Sequence, residues 1–274
     1  MTKLNFGCGS RFSQNWVNID VYSGGPEVQR VNLLKRWPFP NNHFDASYSS
    51  HVVEHFTPSQ ARHLISEAFR VMKPGGIIRI VVPDLEDTCR EYIRILDSFT
   101  TSSPPEKYHW IILELLDQIA RGTPSGEMGP YFQELRESGS ADLRAYVQSR
   151  SGTASSASTT PQNLVAKLRS VSPQKIYNTL FYVYLRLISH AFPTDIRSQV
   201  MVLTGLGERH RWMYDRAGLS FLLQNHGFHS ITVHSYRTSS IPDFNDDGLD
   251  IESDGTPYKR VSLYLEAIKP IELK

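Results

Sequence analysis

Two glycines separated by one residue stand near the start of the sequence, Gly7 and Gly9 in "LNFGCGSRFSQNWVNID". After an apolar strand, such glycines let a ligand approach the backbone and leave amides free to bind it. Asp20 ends the next apolar run, where a carboxylate suits a ribose diol. An ordinary tight turn with Asp20 as a cap is the alternative. A third glycine is missing and the gap to Asp20 is short, which argues against a dinucleotide and favours a cofactor without phosphates.

A second group of reactive side chains lies in "SHVVEHF", which contains His51, Glu54 and His55. Histidine is the side chain best suited to accept a proton near neutral pH. The spacing of four places both histidines on one face if the segment is helical. The alternative is that they only cap and pack a strand-to-helix junction. A metal site formed by these three residues is disfavoured because the spacing differs from HExxH and no thiol is nearby, so we expect no metal.

The late segment "GERHRWMYD" combines His210 with Arg211, Trp212, Tyr214 and Asp215. Arginine can pair with a carboxylate or phosphate, and the two aromatic rings can stack on a sugar or a planar acceptor. We expect these residues at the rim of a substrate site, with His210 as the second candidate base. Asp215 is expected to cap the following helix.

The first hundred residues alternate short apolar runs with helical patterns. Strands are predicted at "KLNF", "WVNID", "RVNLL", "FDASYSS" and "IIRIVV", and helices at "PSQARHLISEAFRVM" and "DLEDTCREYIRILDSF". Thr57 or Ser59 is available to cap the first helix, "KPGG" to end it in a turn, and Asp84 to cap the second. This alternation predicts an α/β fold with a mainly parallel sheet.

The sequence divides into three parts, a cofactor-binding half at 1–99, a helical insertion or lid at 100–204, and a C-terminal part of the sheet at 205–274. The insertion contains a flexible loop, 149–162, that is too poor in apolar residues to pack. Its apolar segment 176–192 is too short to span a membrane, so a buried helix is expected, with peripheral membrane contact as the alternative. The last part is predicted as a helix ended by Gly227 and two strands, "HSITVHSY" and "RVSLYLEAI".

Composition restricts the classes of function. The net charge of +1 gives no reason to expect a nucleic-acid partner. The chain has 2 cysteines, too few for a disulfide framework, and its first residues do not form a signal peptide. A cytoplasmic location is therefore expected.

Three blocks, "LNFGCGS", "HVVEHF" and "RVMKPGG", occur in an order and at a spacing that resemble the class I S-adenosylmethionine-dependent methyltransferases, in the branch with a Leu-Asn-x-Gly-Cys-Gly first strand. The resemblance covers about the first ninety residues, the block 210–228 and the last two strands, and leaves out the insertion. It implies a Rossmann-like, doubly wound, mainly parallel seven-stranded sheet with an antiparallel last strand.

The resemblance also implies roles for individual residues. Its cofactor, S-adenosyl-L-methionine, would be held by residues at the ends of the first four strands: Asn5, Gly7, Cys8, Gly9, Asp20, Asn32, Ser49 and Ser50. Substrate would meet Glu54, His55, Arg211, Trp212 and Tyr214, with His51 as the base closest to the transfer site. The expected reaction is O-methylation of a small molecule, a glycan or a lipid-linked sugar. The alternative is a cofactor-binding or scaffold protein without catalysis.

Overall fold

A computed structural model describes residues 1–22, 25–99, 105–122, 125–152, 183–184, 187–188 and 209–271. Seven strands form one sheet: β1 (Lys3–Phe6), β2 (Val17–Asp20), β3 (Val28–Arg30), β4 (Phe44–Ser50), β5 (Met72–Pro83), β6 (His229–His234) and β7 (Ser262–Ile268). Their order across the sheet is β3-β2-β1-β4-β5-β7-β6. The first five strands pair in parallel, and β7 runs antiparallel to both β5 and β6. The predicted fold class is therefore confirmed.

Six α-helices are described, namely α1 (Pro58–Val71), α2 (Leu85–Asp97), α3 (Lys107–Ala120), α4 (Met128–Ser138), α5 (Ala141–Ser151) and α6 (Arg216–Gln224), with short 3₁₀ turns at Val53–His55 and Phe244–Asp247. The N-cap of α1 is Thr57, whose side chain accepts from the amide of Gln60 in a capping box. Asp84 and Asp215 cap α2 and α6, as predicted, by accepting from the amides of Asp87 and Gly218. These ends form where local side chains satisfy the free amides of the first turn.

Several boundaries differ from the sequence prediction. The last helix, α6, ends at Gln224 with Asn225 as its C-cap, and Gly227 lies in the turn that follows. The third strand is Val28–Arg30, so "RVNLL" lies mostly after it. The "KPGG" motif follows the end of α1 but lies inside β5 instead of forming a separate turn. Gly75 has φ +79° there, and a Cβ on Gly76 would lie 3.0 Å from the carbonyl oxygen of Asp45. The pairing of β4 with β5 shifts register at this point, and the missing side chain of Gly76 leaves room for the carbonyl oxygen of Asp45.

Hydrophobic side chains pack on both faces of the sheet. The larger cluster includes Phe6, Ile65 and Leu265 and lies under α1 and α6, and a second cluster around Tyr48 and Phe244 lies on the other face. A third cluster joins α3, α4 and α5. These helices belong to the predicted insertion and stand beside α2, with which α3 packs.

Arg79 and Glu266 are charged side chains buried within the sheet. Arg79 of β5 is 0% exposed and donates to Asp250 and to Glu266, both at 2.8 Å. It also donates to the carbonyl oxygens of Ser235 and Thr238. The guanidinium thereby anchors the long segment between β6 and β7 to the centre of the sheet.

The predicted loop 149–162 begins within α5, which ends at Ser151, and residues 153–162 lie outside the described residues. Most of the apolar segment 176–192 also lies outside them. Among the helices that the structure describes, none has the length and apolar character needed to cross a membrane. The division at residues 99 and 204 stays a prediction.

Candidate functional site

A cavity of about 180 Å³ opens at the carboxyl ends of β1 and β4. Ligands of open α/β sheets bind at this edge, where the strand order reverses between β1 and β4. The cavity is lined by the glycine loop, the end of β4 and part of the segment before β7: Asn5, Gly7, Cys8, Gly9, Ser10, Arg11, Tyr48, Ser50, His51, Tyr258 and Lys259. Five of the predicted cofactor residues are thus brought together with His51.

The two glycines of the loop serve different purposes. Gly7 has φ +70°, and a Cβ there would lie 2.5 Å from Cγ2 of Val52. Gly9 has φ +52°, and a Cβ there would meet no atom within 4 Å. Gly7 therefore lets the loop pack against the protein, while Gly9, which is exposed and lines the cavity, has open space around its α-carbon.

Asn5 is buried and fastens the loop from inside. Its Nδ2 donates to the carbonyl oxygen of Arg11 and to Oδ1 of Asn18, each at 3.1 Å. The side-chain amide of Asn5 thus links β1 to β2 and to the loop between them. No helix forms in this loop. This agrees with the expectation that the short gap has no phosphate-binding helix.

Asp20, at the end of β2, lies beside the loop. Its Oδ2 accepts from the amide of Gly9 and its Oδ1 from the amide of Tyr22, both at 2.9 Å. Each carboxylate oxygen retains a lone pair for a further donor. In this structure the side chain of Asp20 stabilises the glycine loop through its hydrogen bond with Gly9. Asp20 is not among the residues that line the cavity.

Two other predicted cofactor residues lie away from the cavity lining. Asn32 is exposed, and its Oδ1 accepts from the amide of Leu34 in a local turn. Ser49 is fully buried in β4, adjacent to Ser50, which does line the cavity. Contacts of Asn32 and Ser49 with a cofactor stay predictions.

Sequence reasoning missed five residues of the cavity wall: Ser10, Arg11, Tyr48, Tyr258 and Lys259. The guanidinium of Arg11 lies 4.4 Å from the ring centre of Tyr258 and donates to the carbonyl oxygen of Ile251 at 2.6 Å. Lys259 lies over the same ring at 5.0 Å. In the sequence, Tyr258 and Lys259 belong to a Tyr-Lys-Arg run just before the last strand, and this run does not match the spacing of a binding motif.

Cys8 is 7% exposed on the cavity wall. Burial and the nearby charge of Asp20 raise the pKa of its thiol to about 12. The thiol is therefore neutral and a poor nucleophile near neutral pH.

A second cavity, of about 260 Å³, lies between the sheet edge and helices α2 to α5. Its wall combines aromatic, charged and amide side chains: His51, Pro83, Thr88, Trp110, Glu114, Gln118, Met128, Phe132, Arg150, Ser151, Met213, Lys259, Arg260 and Val261. Glu114 accepts hydrogen bonds from Trp110 and Arg150, so these three side chains form a connected polar network in the wall of the cavity. His51 and Lys259 line both cavities, which places them at the junction between the two.

His51 follows β4 in a left-handed conformation, with φ +52°. Such a conformation in a residue other than glycine is held by its surroundings and is common at functional sites. Its amide donates to Val81, Nε2 lies 2.9 Å from Oγ of Ser262, and Nδ1 lies 3.4 Å from Oε1 of Glu54. Burial holds the pKa of the imidazole well below its usual value, with Lys259 adding to the effect.

Behind His51 lies a buried group formed by Glu54, His55 and His210. Glu54 is 0% exposed, and burial raises the pKa of its carboxyl to about 8. Burial lowers the pKa of His210 to about 3 and also lowers that of His55. The three side chains are outside the lining of both cavities, so the predicted contacts of Glu54 and His55 with substrate stay predictions.

The remaining predicted substrate residues are separated by the fold. Arg211 and Trp212 are exposed, Trp212 by 49%, and both lie outside the two cavities. Their amides donate to the carbonyl oxygen of Glu54. Tyr214 is 4% exposed and packs in the larger hydrophobic cluster, so its ring does not face either cavity.

Residues 4–80 match the family described as a methyltransferase domain. This stretch contains β1 to β4, α1 and most of β5, which together carry the glycine loop and His51. The match supports an S-adenosylmethionine-dependent methyltransferase, and S-adenosylmethionine is the cofactor that it implies. The first cavity fits such a group, because Gly9 leaves open space and polar side chains converge there.

Solved structures that the chain is similar to include an S-adenosylmethionine-dependent methyltransferase from Methanosarcina mazei, at 13% identity and TM-score 0.41, with 99% of this chain and 93% of that chain covered. Another comes from Archaeoglobus fulgidus, at 11% identity and TM-score 0.38, with 98% and 86% covered. The cyclase SpnF is 23% identical over 30% of this chain, with TM-score 0.25, and the chain spans 38% of its length. No curated protein sequence matches the chain.

Proposed function

We propose that the chain methylates an oxygen of a small molecule or of a glycan, including a lipid-linked sugar, with S-adenosylmethionine as the methyl donor. The observation that carries this proposal is the junction of the two cavities at His51 and Lys259. A donor cavity and an acceptor cavity must meet at the reacting atoms, and methyl transfer depends mainly on their alignment.

The residues of the first cavity suit the donor. When bound, S-adenosylmethionine supplies a methyl group on a sulfonium that is ready for displacement. The loop Gly7–Gly9 and Ser50 would hold its methionine portion, with Asp20 beside them for the ribose hydroxyls. Tyr258 adds an aromatic face, and Lys259 an ammonium that can pair with a carboxylate.

The second cavity suits a polar acceptor with a planar or ring-shaped face. Trp110 and Phe132 supply aromatic surface, and Glu114, Gln118 and Thr88 supply hydrogen-bonding groups. Such a combination is well matched to a sugar. The helices that carry most of these residues belong to the proposed insertion at 100–204, which would therefore determine which acceptor enters.

His51 is the proposed proton acceptor for the acceptor hydroxyl, because its ring reaches both cavities. Its Nε2 lies 2.9 Å from Oγ of Ser262. The hydroxyl of an incoming acceptor would replace the serine hydroxyl as the hydrogen-bond partner of Nε2. His210, the second candidate base, lines neither cavity.

The test measures binding and transfer separately. Titration calorimetry with S-adenosylhomocysteine tests the first cavity, and transfer of a labelled methyl group to a panel of sugars and lipid-linked sugars tests the reaction. We expect His51→Asn to abolish turnover and leave cofactor affinity nearly unchanged, since asparagine tolerates the left-handed backbone but cannot serve as the base.

Three outcomes separate the alternatives. Full activity of His51→Asn would remove the proposed role of His51. Tight binding without transfer to any acceptor of the panel would favour a cofactor-binding or scaffold protein. A folded protein that does not bind S-adenosylhomocysteine would refute the proposed function.

A further inference from the structure

The buried group behind the two cavities contains three side chains that are common metal ligands. Glu54 and His55 come from the 3₁₀ turn after β4, and His210 comes from the segment that leads to α6. One ligand atom of each lies within 4.8 Å of the other two. Glu54 and His210 are 0% and 5% exposed, so water does not solvate them freely.

A hydrogen bond of His55 determines which of its two ring nitrogens is free to bind a metal. Nδ1 of His55 lies 3.0 Å from the carbonyl oxygen of Arg209, which can only accept, so Nδ1 carries the proton and Nε2 has the lone pair. That Nε2 lies 3.9 Å from Oε1 of Glu54. A histidine whose other nitrogen donates to a backbone carbonyl is the usual state of a metal ligand.

Three atoms of the other two side chains have no hydrogen-bond partner among the residues that the structure describes. These atoms are both carboxylate oxygens of Glu54 and Nδ1 of His210. A buried polar atom without a partner costs about 1–3 kcal/mol, and more when it is charged. Nδ1 of His51 lies 3.4 Å from Oε1 of Glu54, which is too long for a strong hydrogen bond. The described residues therefore leave these buried polar atoms of Glu54 and His210 without hydrogen-bond partners.

We propose that Glu54, His55 and His210 bind one divalent transition-metal cation of the Zn²⁺ type. Two imidazoles and one carboxylate suit zinc, whereas Ca²⁺ and Mg²⁺ require mainly oxygen ligands. Tetrahedral zinc with bonds of about 2.0–2.1 Å holds its ligand atoms roughly 3.4 Å apart. The Glu54–His55 separation of 3.9 Å is therefore within reach of a small rotation of the two side chains.

Such a cation would fasten two segments that are far apart in the sequence. The amides of Arg211 and Trp212 already donate to the carbonyl oxygen of Glu54, and His210 donates its own amide to Gln118 of α3. The cation would add a side-chain bond at the same place and fix Glu54 next to His51. It would thus act as a positioning element, and its binding does not depend on the proposed methyl transfer.

The test begins with the purified full-length chain, freed of metal by a chelator and then dialysed against Zn²⁺ alone. We expect one bound zinc per chain by elemental analysis and a higher melting temperature with zinc than without it. His210→Ala and His55→Ala should each weaken zinc binding by roughly 100-fold or more, because every ligand contributes a large share of the binding free energy.

Two further variants keep the experiment decisive. His229→Ala removes an exposed histidine outside the group and should leave zinc affinity unchanged. Glu54→Gln preserves the shape of the buried side chain, so it addresses the case in which an alanine variant fails to fold, and it should also lose zinc. A folded wild-type chain without zinc, or equal zinc affinity in Glu54→Gln and His229→Ala, would overturn the proposal.

Discussion

The two glycines of the first loop allow a matched pair of substitutions, Gly7→Ala and Gly9→Ala. Both residues have positive φ, +70° and +52°, so an alanine at either position carries the same kind of backbone strain. They differ in their surroundings. The new methyl group would lie 2.5 Å from Val52 at position 7 and would meet no protein atom within 4 Å at position 9.

The expected magnitudes follow from this difference. Left-handed backbone costs a non-glycine residue roughly 1–2 kcal/mol, and this is the whole cost expected for Gly9→Ala. Overpacking against Val52 adds about 1–3 kcal/mol, so Gly7→Ala should lose roughly 2–5 kcal/mol of stability. For cofactor affinity we expect the opposite order, with Gly9→Ala weakening binding more than Gly7→Ala. The reason is that only the alanine at position 9 projects into open space beside the cavity.

Urea denaturation measures the stability of each variant, and titration calorimetry with S-adenosylhomocysteine measures affinity. The double variant Gly7→Ala/Val52→Ala is the control, since it removes the clash and should recover part of the loss caused by the first change alone. Equal destabilisation by Gly7→Ala and Gly9→Ala would refute the reasoning, because it would show that the contact with Val52 has no energetic consequence.

Three further predictions concern the sheet, the cofactor site and the thiols. Arg79→Met should destabilise the fold by about 3–5 kcal/mol in urea denaturation, because two buried carboxylates lose their guanidinium; a loss below about 1 kcal/mol would contradict this. Asp20→Ala should weaken binding of S-adenosylhomocysteine at least tenfold, about 1.4 kcal/mol, by calorimetry, and unchanged affinity in the folded variant would exclude the ribose role. Iodoacetamide at pH 8 should modify exposed Cys89 well before Cys8, whose pKa is about 12, and mass spectrometry would detect the opposite order if the thiol of Cys8 were accessible.

Local signals in the sequence were sufficient for most elements of the sheet and its helices. The caps Thr57, Asp84 and Asp215 act on amides three residues away, so the sequence near each helix start contains the whole interaction. Strands buried on both faces, such as β5, are recognisable as continuous β-branched runs. The same reasoning failed at "KPGG", because the backbones of Gly75 and Gly76 form hydrogen bonds with Lys269 just after β7, a partner far from the motif in the sequence.

The candidate site was predictable in part for the same reason. The glycine loop and His51 directly follow strands, and the carboxyl ends of parallel strands share one edge of the sheet. Arg11 and Tyr258, in contrast, meet across most of the chain, and neither lies in a recognisable pattern. Tyr258 belongs to the segment before β7, which Arg79 of β5 anchors through Asp250.

The sequence by itself determined the order of strands and helices, the glycine loop and the position of His51, because these depend on side chains close to one another along the chain. Only the tertiary structure decided that Asp20 supports the loop, that Tyr214 is buried, and that His210 joins Glu54 and His55. Those outcomes depend on packing between segments that are distant in the sequence, and it is the order of strands in the sheet that places these segments side by side.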